Sequence, residues 1–295
     1  MSDAAQRGKA LAMLVLGASV IGLAPILVRL SDTGPAAAGF WRLAFALPVL
    51  ALMARGASGG VGRPSRAALI AGAMFALDMG FWHYGVNLTS VANATVLTNL
   101  TPVVVTLFAW IFFKDRPRSL FLAAVAIAIG GAWLMAAAKG DHAAGANPPL
   151  GDVLSLITAL WYALYMLAIG VARRDQTATR VMFWSSLTGA PLLLLAALAL
   201  REPVLPASAG GWVACLALGA VHIAGQGSIA WALGRLPTST ASVVVLVQPV
   251  VAALLGWALF REVLTPLQAV GGVVALAGVV LAQWAARPRP QPGTA

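Results

Sequence analysis

Apolar residues run along this chain in stretches long enough to cross a bilayer, each closed by a short polar break. A helix needs about 20 consecutive apolar residues to span the hydrocarbon core. Ten such runs are read, at residues 9–30, 35–55, 66–88, 90–113, 119–138, 150–171, 178–200, 210–233, 237–260 and 265–286. The breaks carry turn chemistry, as in Ser31-Asp32-Thr33-Gly34-Pro35, Gly59-Gly60, Arg116-Pro117-Arg118, Asn147-Pro148-Pro149 and Leu236-Pro237. The pattern therefore predicts an all-α membrane protein of ten transmembrane helices.

The basic residues orient these helices. With the N-terminus placed inside, fourteen of the 19 lysines and arginines fall in cytoplasmic segments. The positive-inside bias thus predicts both termini cytoplasmic. Composition agrees: 60% of residues are hydrophobic, 9% are charged and the mean hydropathy is +0.89. Soluble domains carry about 25% charged residues, so lipid is the solvent for much of this surface. The net charge of +10 does not imply nucleic acid, because the cations sit in separate short loops and form no contiguous patch. The single cysteine, Cys215, excludes an internal disulfide and reads as a packing residue. The first run is long enough to span and reads as a retained helix, not a cleaved leader. Asn-x-Thr triplets at Asn87, Asn93 and Asn99 lie in or against the membrane and are discounted as glycosylation sites.

The chain also repeats itself. Residues 92–135 align with 239–282 at one constant offset, matching Pro102 to Pro249, Trp110 to Trp257, Phe113 to Phe260, Lys114-Asp115 to Arg261-Glu262 and Gly131 to Gly278. The expected units are an N-terminal five-helix repeat over 1–138, a connecting loop over 139–149, a C-terminal repeat over 150–286 and a disordered cytoplasmic tail over 287–295. An odd number of spans per unit inverts the second relative to the first. Two inverted five-helix repeats around a central cavity can exchange shapes, which is how many secondary transporters alternate access.

Polar residues retained at mid-depth are the candidates for function, because lipid makes them costly. Of nine acidic residues, only Asp78 lies near the middle of a run. Trp82 follows one turn later on the same helical face, then His83, Tyr84 and Asn87; His222 and Gln226 lie within the eighth run. These groups either face a polar cavity or hydrogen-bond between helices. Pro102 and Pro249 sit mid-run and are expected to kink their helices and to free carbonyls, next to Asn99 and Thr101 in one copy and Gln248 in the other. The amides either line a site or gate or satisfy the broken ladder. Trp161, Tyr162 and Tyr165 supply aromatic walls suited to flat side chains and to ammonium groups, or else pack the span. Arg42 sits just inside the second run; snorkelling to the outer interface is the favoured reading, with attraction of a carboxylate as the alternative. The glycines of the runs, Gly131 and Gly278 among them, read as close-packing positions.

No phosphate-cradling loop, nucleophile elbow or metal-spaced cluster is found, so neither an enzyme nor a cofactor is expected. Ten spans, a five-plus-five inverted repeat and the matched prolines resemble the drug/metabolite transporter superfamily and, within it, the EamA family. The stretches Trp82-His83-Tyr84 and Trp161-Tyr162 resemble the YddG-type amino-acid exporters. That resemblance implies a basket of helices around a central cavity, a bacterial inner-membrane location and export of amino acids, aromatic and other bulky neutral ones. It places Asp78, Trp82, His83, Asn99, Trp161, Tyr165 and Gln248 at the substrate, with Pro102 and Pro249 as gating positions. The expected partners are a small-molecule substrate and membrane lipids. The alternatives are another solute, such as a nucleoside or a cationic compound, and a non-transporting receptor or assembly subunit.

Overall fold

A computed structural model describes residues 3–58, 60–89, 91–114, 118–137, 146–260 and 265–285. The predicted charge pairs Asp115 and Arg261-Glu262, most of the connecting loop and the C-terminal tail lie outside the described residues.

The described chain is helical: α1 (Asp3–Ile21), α2 (Ala24–Arg29), α3 (Pro35–Ser58), α4 (Arg66–Leu88), α5 (Val91–Thr98), α6 (Thr101–Phe113), α7 (Ser119–Ala137), α8 (Pro148–Ala172), α9 (Ala178–Ala199), α10 (Ala209–Val221), a π-helical turn (His222–Gln226), α11 (Gly227–Leu233), α12 (Thr238–Val244), α13 (Val247–Phe260) and α14 (Pro266–Ala285). Every run read from the sequence is helical. Some are interrupted, as in α1–α2, α5–α6 and α12–α13. Among the described residues, five helical segments qualify by length and apolarity to cross a membrane: Ala5–Arg29, Pro35–Gly56, Pro149–Ala172, Ala178–Ala199 and Ala209–Leu233. Shorter apolar helices cover Ser119–Gly131, Thr238–Ala252 and Ala269–Ala282. Helix α4 is long enough, but Asp78, His83, Tyr84 and Asn87 dilute its apolar character.

Helix starts follow local chemistry. The hydroxyls of Ser65 and Ser208 accept from the amides of Ala68 (3.2 Å) and Gly211 (2.9 Å), capping α4 and α10. Thr177 caps α9 in the same way. The matched prolines do not kink a continuous helix. Each falls in the first turn of a new one, where a missing amide costs little. A proline cannot donate to the carbonyl four residues back. The Thr98 carbonyl instead accepts from the Thr101 hydroxyl at 2.6 Å, and the Val245 carbonyl accepts from the Gln248 amide at 2.9 Å.

Helix α4 packs along α8 and α9, α3 along α9 and α10, α1 along α11 and the π-turn, and α7 along α14. The last contact is backbone on backbone. A Cβ on Gly131 would stand 2.3 Å from the Ala275 amide nitrogen, and one on Gly278 would stand 2.4 Å from that of Ala128. Only glycine allows this approach, and such small-residue contacts drive helix association where lipid removes the hydrophobic incentive. Gly278→Leu is expected to destabilise the fold by about 1–3 kcal/mol through overpacking. Thermal unfolding in detergent reads this, and an unchanged midpoint would disprove the close packing.

Candidate functional site

The interior between α3, α4, α8, α9 and the π-turn holds a stack of aromatic rings. Phe75 (α4) lies at the centre, buried at 1% exposure. Tyr165 (α8) stacks on it at 4.4 Å and 22°, and His222 stacks at 5.4 Å and 27°. Tyr162 continues the stack on Tyr165 at 5.8 Å and 24°. One helical turn separates Tyr162 from Tyr165, so both rings present the same face of α8.

Charge is built into this stack. Arg42 of α3 is 3% exposed, and its guanidinium lies 5.8 Å from the Phe75 ring centroid. Asp78, one turn after Phe75 on α4, is 7% exposed and within electrostatic reach of Arg42, Tyr162 and Tyr165. The expectation that Arg42 snorkels to the outer interface is therefore overturned. It sits seven residues into α3, about 10 Å along the axis by helical rise, on the face turned toward Phe75. There the cation lies over an aromatic face.

Among the described residues, eight buried side-chain nitrogens or oxygens make no hydrogen bond to protein. Six belong to this region: Arg42 Nε, Trp161 Nε1, Tyr162 Oη, His222 Nδ1, Gln226 Oε1 and Gln248 Nε2. Leaving one such group unsatisfied costs about 1–3 kcal/mol. Each of these groups needs a partner that the chain itself does not supply. The Tyr162 hydroxyl lies near the side-chain amides of Gln226 and Gln248 without a hydrogen bond to either, so α8, the π-turn and α13 each bring an unpartnered polar group to one place. Other groups are committed internally. His222 Nε2 is 3.0 Å from the Ser186 hydroxyl, and the Tyr165 hydroxyl reaches Met182 Sδ at 4.0 Å.

Asp78, Tyr165 and Gln248 are thus brought together, while the Trp161 ring lies 6.2 Å from Phe81 of α4. Trp82 and His83 lie further toward the end of α4. His83 Nδ1 contacts the Pro35 carbonyl at 2.8 Å, which ties α4 to the start of α3, and Trp82 tilts against the His83 ring at 5.3 Å. Asn99 donates from Nδ2 to the Thr95 carbonyl at 2.5 Å, a carbonyl that also accepts the Asn99 backbone amide at 3.1 Å, so its side chain is spent within its own helical turn. Pro102 and Pro249 are both buried at the helix breaks. Arg42, Phe75, Tyr162 and Ser186 were not selected as site residues from sequence. The signal for Arg42 was a lone cation between Phe40 and Phe45 in an apolar run; for Tyr162 it was a hydroxyl one turn from Tyr165.

Two rims close over this interior. At one end the Glu202 carboxylate accepts from the Ala37 amide at 3.0 Å, the Ala36 amide at 3.3 Å and the Tyr84 hydroxyl. Trp41 Nε1 donates to the Val204 carbonyl at 2.7 Å beside it. At the other end Trp184 Nε1 and Arg180 Nε donate to the Val61 and Gly60 carbonyls, both at 2.9 Å. The side chain of Gln176 joins them, donating from Nε2 to the Arg63 carbonyl at 2.8 Å.

Apolar helices around a buried, charged and aromatic interior define a multi-pass membrane transporter. The EamA-like transporter family matches residues 8–137 and again residues 149–284, and the chain belongs to that family, of the drug/metabolite transporter type. Solute carrier family 35 also matches, over 82–200. An uncharacterised transporter of Archaeoglobus fulgidus is 27% identical over 273 residues, covering 92% of this chain and 95% of that protein. The pseudopaline exporter CntI of Pseudomonas aeruginosa is 26% identical over 211 residues and 70% of each chain. A crystal structure with 20% identity superposes with a TM-score of 0.76, covering 96% of this chain and 98% of its own, and shares the fold.

Proposed function

We propose that the protein is an alternating-access exporter of small zwitterionic metabolites, amino acids foremost, with bulky or aromatic side chains. The observation that carries this is the burial of Arg42 and Asp78, opposite charges, at the Phe75–Tyr165–His222 stack. A guanidinium takes a carboxylate in a bidentate fork. A carboxylate and aromatic faces take an ammonium. The ring stack takes a flat or branched side chain, and the free edges of Tyr162, Gln226 and Gln248 take the remaining polar atoms. A purely cationic compound fits less well, because Arg42 repels it. Net export agrees with the Pseudomonas relative, itself an exporter.

The mechanism rests on ten spans in two inverted five-helix repeats, residues 1–138 and 150–286, with both termini cytoplasmic in a bacterial inner membrane. The double match to one family supports two equivalent units. So does the α7–α14 contact: Gly131 meets Ala275 and Gly278 meets Ala128, and the same offset relates Gly131 to Gly278 and Ala128 to Ala275. Such reciprocal pairing is what a two-fold axis produces. Opening the Glu202 rim while the Trp184 rim stays shut, then the reverse, passes a solute across the Arg42–Asp78 site. The broken helices α5–α6 and α12–α13 supply the hinges.

Purified protein in liposomes tests the reading. Saturable flux of aromatic amino acids, methionine or threonine is expected. Trp161→Ala should reorder these substrates without lowering protein abundance. Absence of saturable flux for the whole panel refutes the substrate class.

A further inference from the structure

A second polar site lies apart from the central stack. A cavity of about 400 Å³ opens where α8 and α11 end, walled by Leu167, Gly170, Arg173, Arg174, Arg235 and Thr238 among others. Both candidate spans that reach it, Pro149–Ala172 and Ala209–Leu233, finish at its edge, so it sits at a membrane boundary.

Three arginines converge here. Arg173 is anchored, donating from Nε to the Ala230 carbonyl at 2.9 Å and from a terminal nitrogen to the Gln176 carbonyl. Arg235 lies 3.7 Å over the Trp231 ring and donates to the Trp231 carbonyl at 3.0 Å; Lys9 approaches the same ring at 5.9 Å. Arg174 and Arg235 are exposed. Burial first, and the nearby Arg235 cation second, push the Arg173 guanidinium below its ordinary value. Like charges held together in this way call for an anion between them. The close approach is built in, since a Cβ on Gly234 would stand 2.4 Å from an Arg173 terminal nitrogen. Below the arginines the wall is apolar, with Leu167, Leu233 and Leu236, and Val171 is exposed beside them. Thr238 and Ser239 line the same cavity.

We propose that this cavity binds a phosphate-bearing anion, an anionic phospholipid headgroup or free phosphate, held by Arg173, Arg174, Arg235 and Thr238. Arginine forks match phosphate oxygens, and basic pockets at the ends of transmembrane helices receive acidic headgroups. The apolar lower wall would carry the first methylenes of an acyl chain. Occupancy would tie the α8 end to the α11–α12 turn.

The test measures thermal unfolding of the full chain in phosphatidylcholine nanodiscs. One arm adds phosphatidylglycerol, a second adds inorganic phosphate at constant ionic strength, and native mass spectrometry counts retained phosphatidylglycerol. Stabilisation by phosphatidylglycerol alone assigns the site to a lipid headgroup; stabilisation by inorganic phosphate assigns it to the free anion. Arg174→Gln and Arg235→Gln should each weaken retention about five-fold, the factor matching about 1 kcal/mol per cation at a charged surface. Both side chains are exposed, so folding should survive, and Thr238→Val offers an uncharged check. The proposal is overturned if neither ligand stabilises the protein, or if the variants respond as the wild type does.

Discussion

Arg42→Met is expected to lower apparent affinity for carboxylate-bearing substrates by at least about 30-fold, since truncating one member of a buried charged contact costs about 2–5 kcal/mol. The cause lies in the position of the side chain. It is 3% exposed, its Nε has no protein acceptor, and it faces an aromatic ring where water does not replace it. Arg42→Lys keeps the charge but loses the planar fork, so it should recover only part of the affinity. Competition between an amino acid and its decarboxylated amine separates recognition from damage. The wild type should prefer the amino acid, and Arg42→Met should lose that preference. A variant that folds, transports and still prefers the carboxylate would eliminate Arg42 as the carboxylate contact.

The second large effect concerns stability. Asp78→Leu leaves the Arg42 cation buried without its nearby carboxylate, which is expected to destabilise the fold by about 3–5 kcal/mol. Arg42→Met leaves the reverse defect. The double variant Arg42→Met/Asp78→Leu fills the space with apolar groups and should regain most of the lost stability while transporting nothing. Replacing two buried opposite charges together by apolar groups is often neutral, whereas removing one of them is not. Melting points of the four proteins in one detergent form a double-mutant cycle. Strictly additive losses would show that the two charges do not feel each other.

How much of this was legible depended on the range of the forces involved. The helical runs could be read because a bilayer-crossing helix must satisfy its own backbone and cover itself in apolar side chains, both local requirements. The Gly131 and Gly278 contact was foreshadowed by the repeat, since lipid leaves small residues as the way to bring backbones together. Asp78 stood out as a carboxylate too deep to be cheap. Periodicity could not say which way Arg42 points, because snorkelling and inward burial begin from the same position on α3. It could not separate Asn99 from Gln248 either. Both are amides beside a matched proline, yet one is consumed by the Thr95 carbonyl and the other is left without a partner. The helix breaks ahead of Pro102 and Pro249 were expected as kinks, since a missing donor says where a ladder fails but not how the chain relaxes.

From residues alone came the class of molecule: an apolar helical chain, written twice. These are properties of each segment against lipid, and no partner segment is needed to decide them. The site was a different matter. Arg42, Phe75, Asp78, Tyr162, His222 and Gln248 come from α3, α4, α8, the π-turn and α13, and no local rule relates them. They meet because α4 packs along α8 and α9 while α3 packs along α9 and α10, which turns one face of each helix to a common interior. Which polar groups then found protein partners, and which were left without one, followed from that packing.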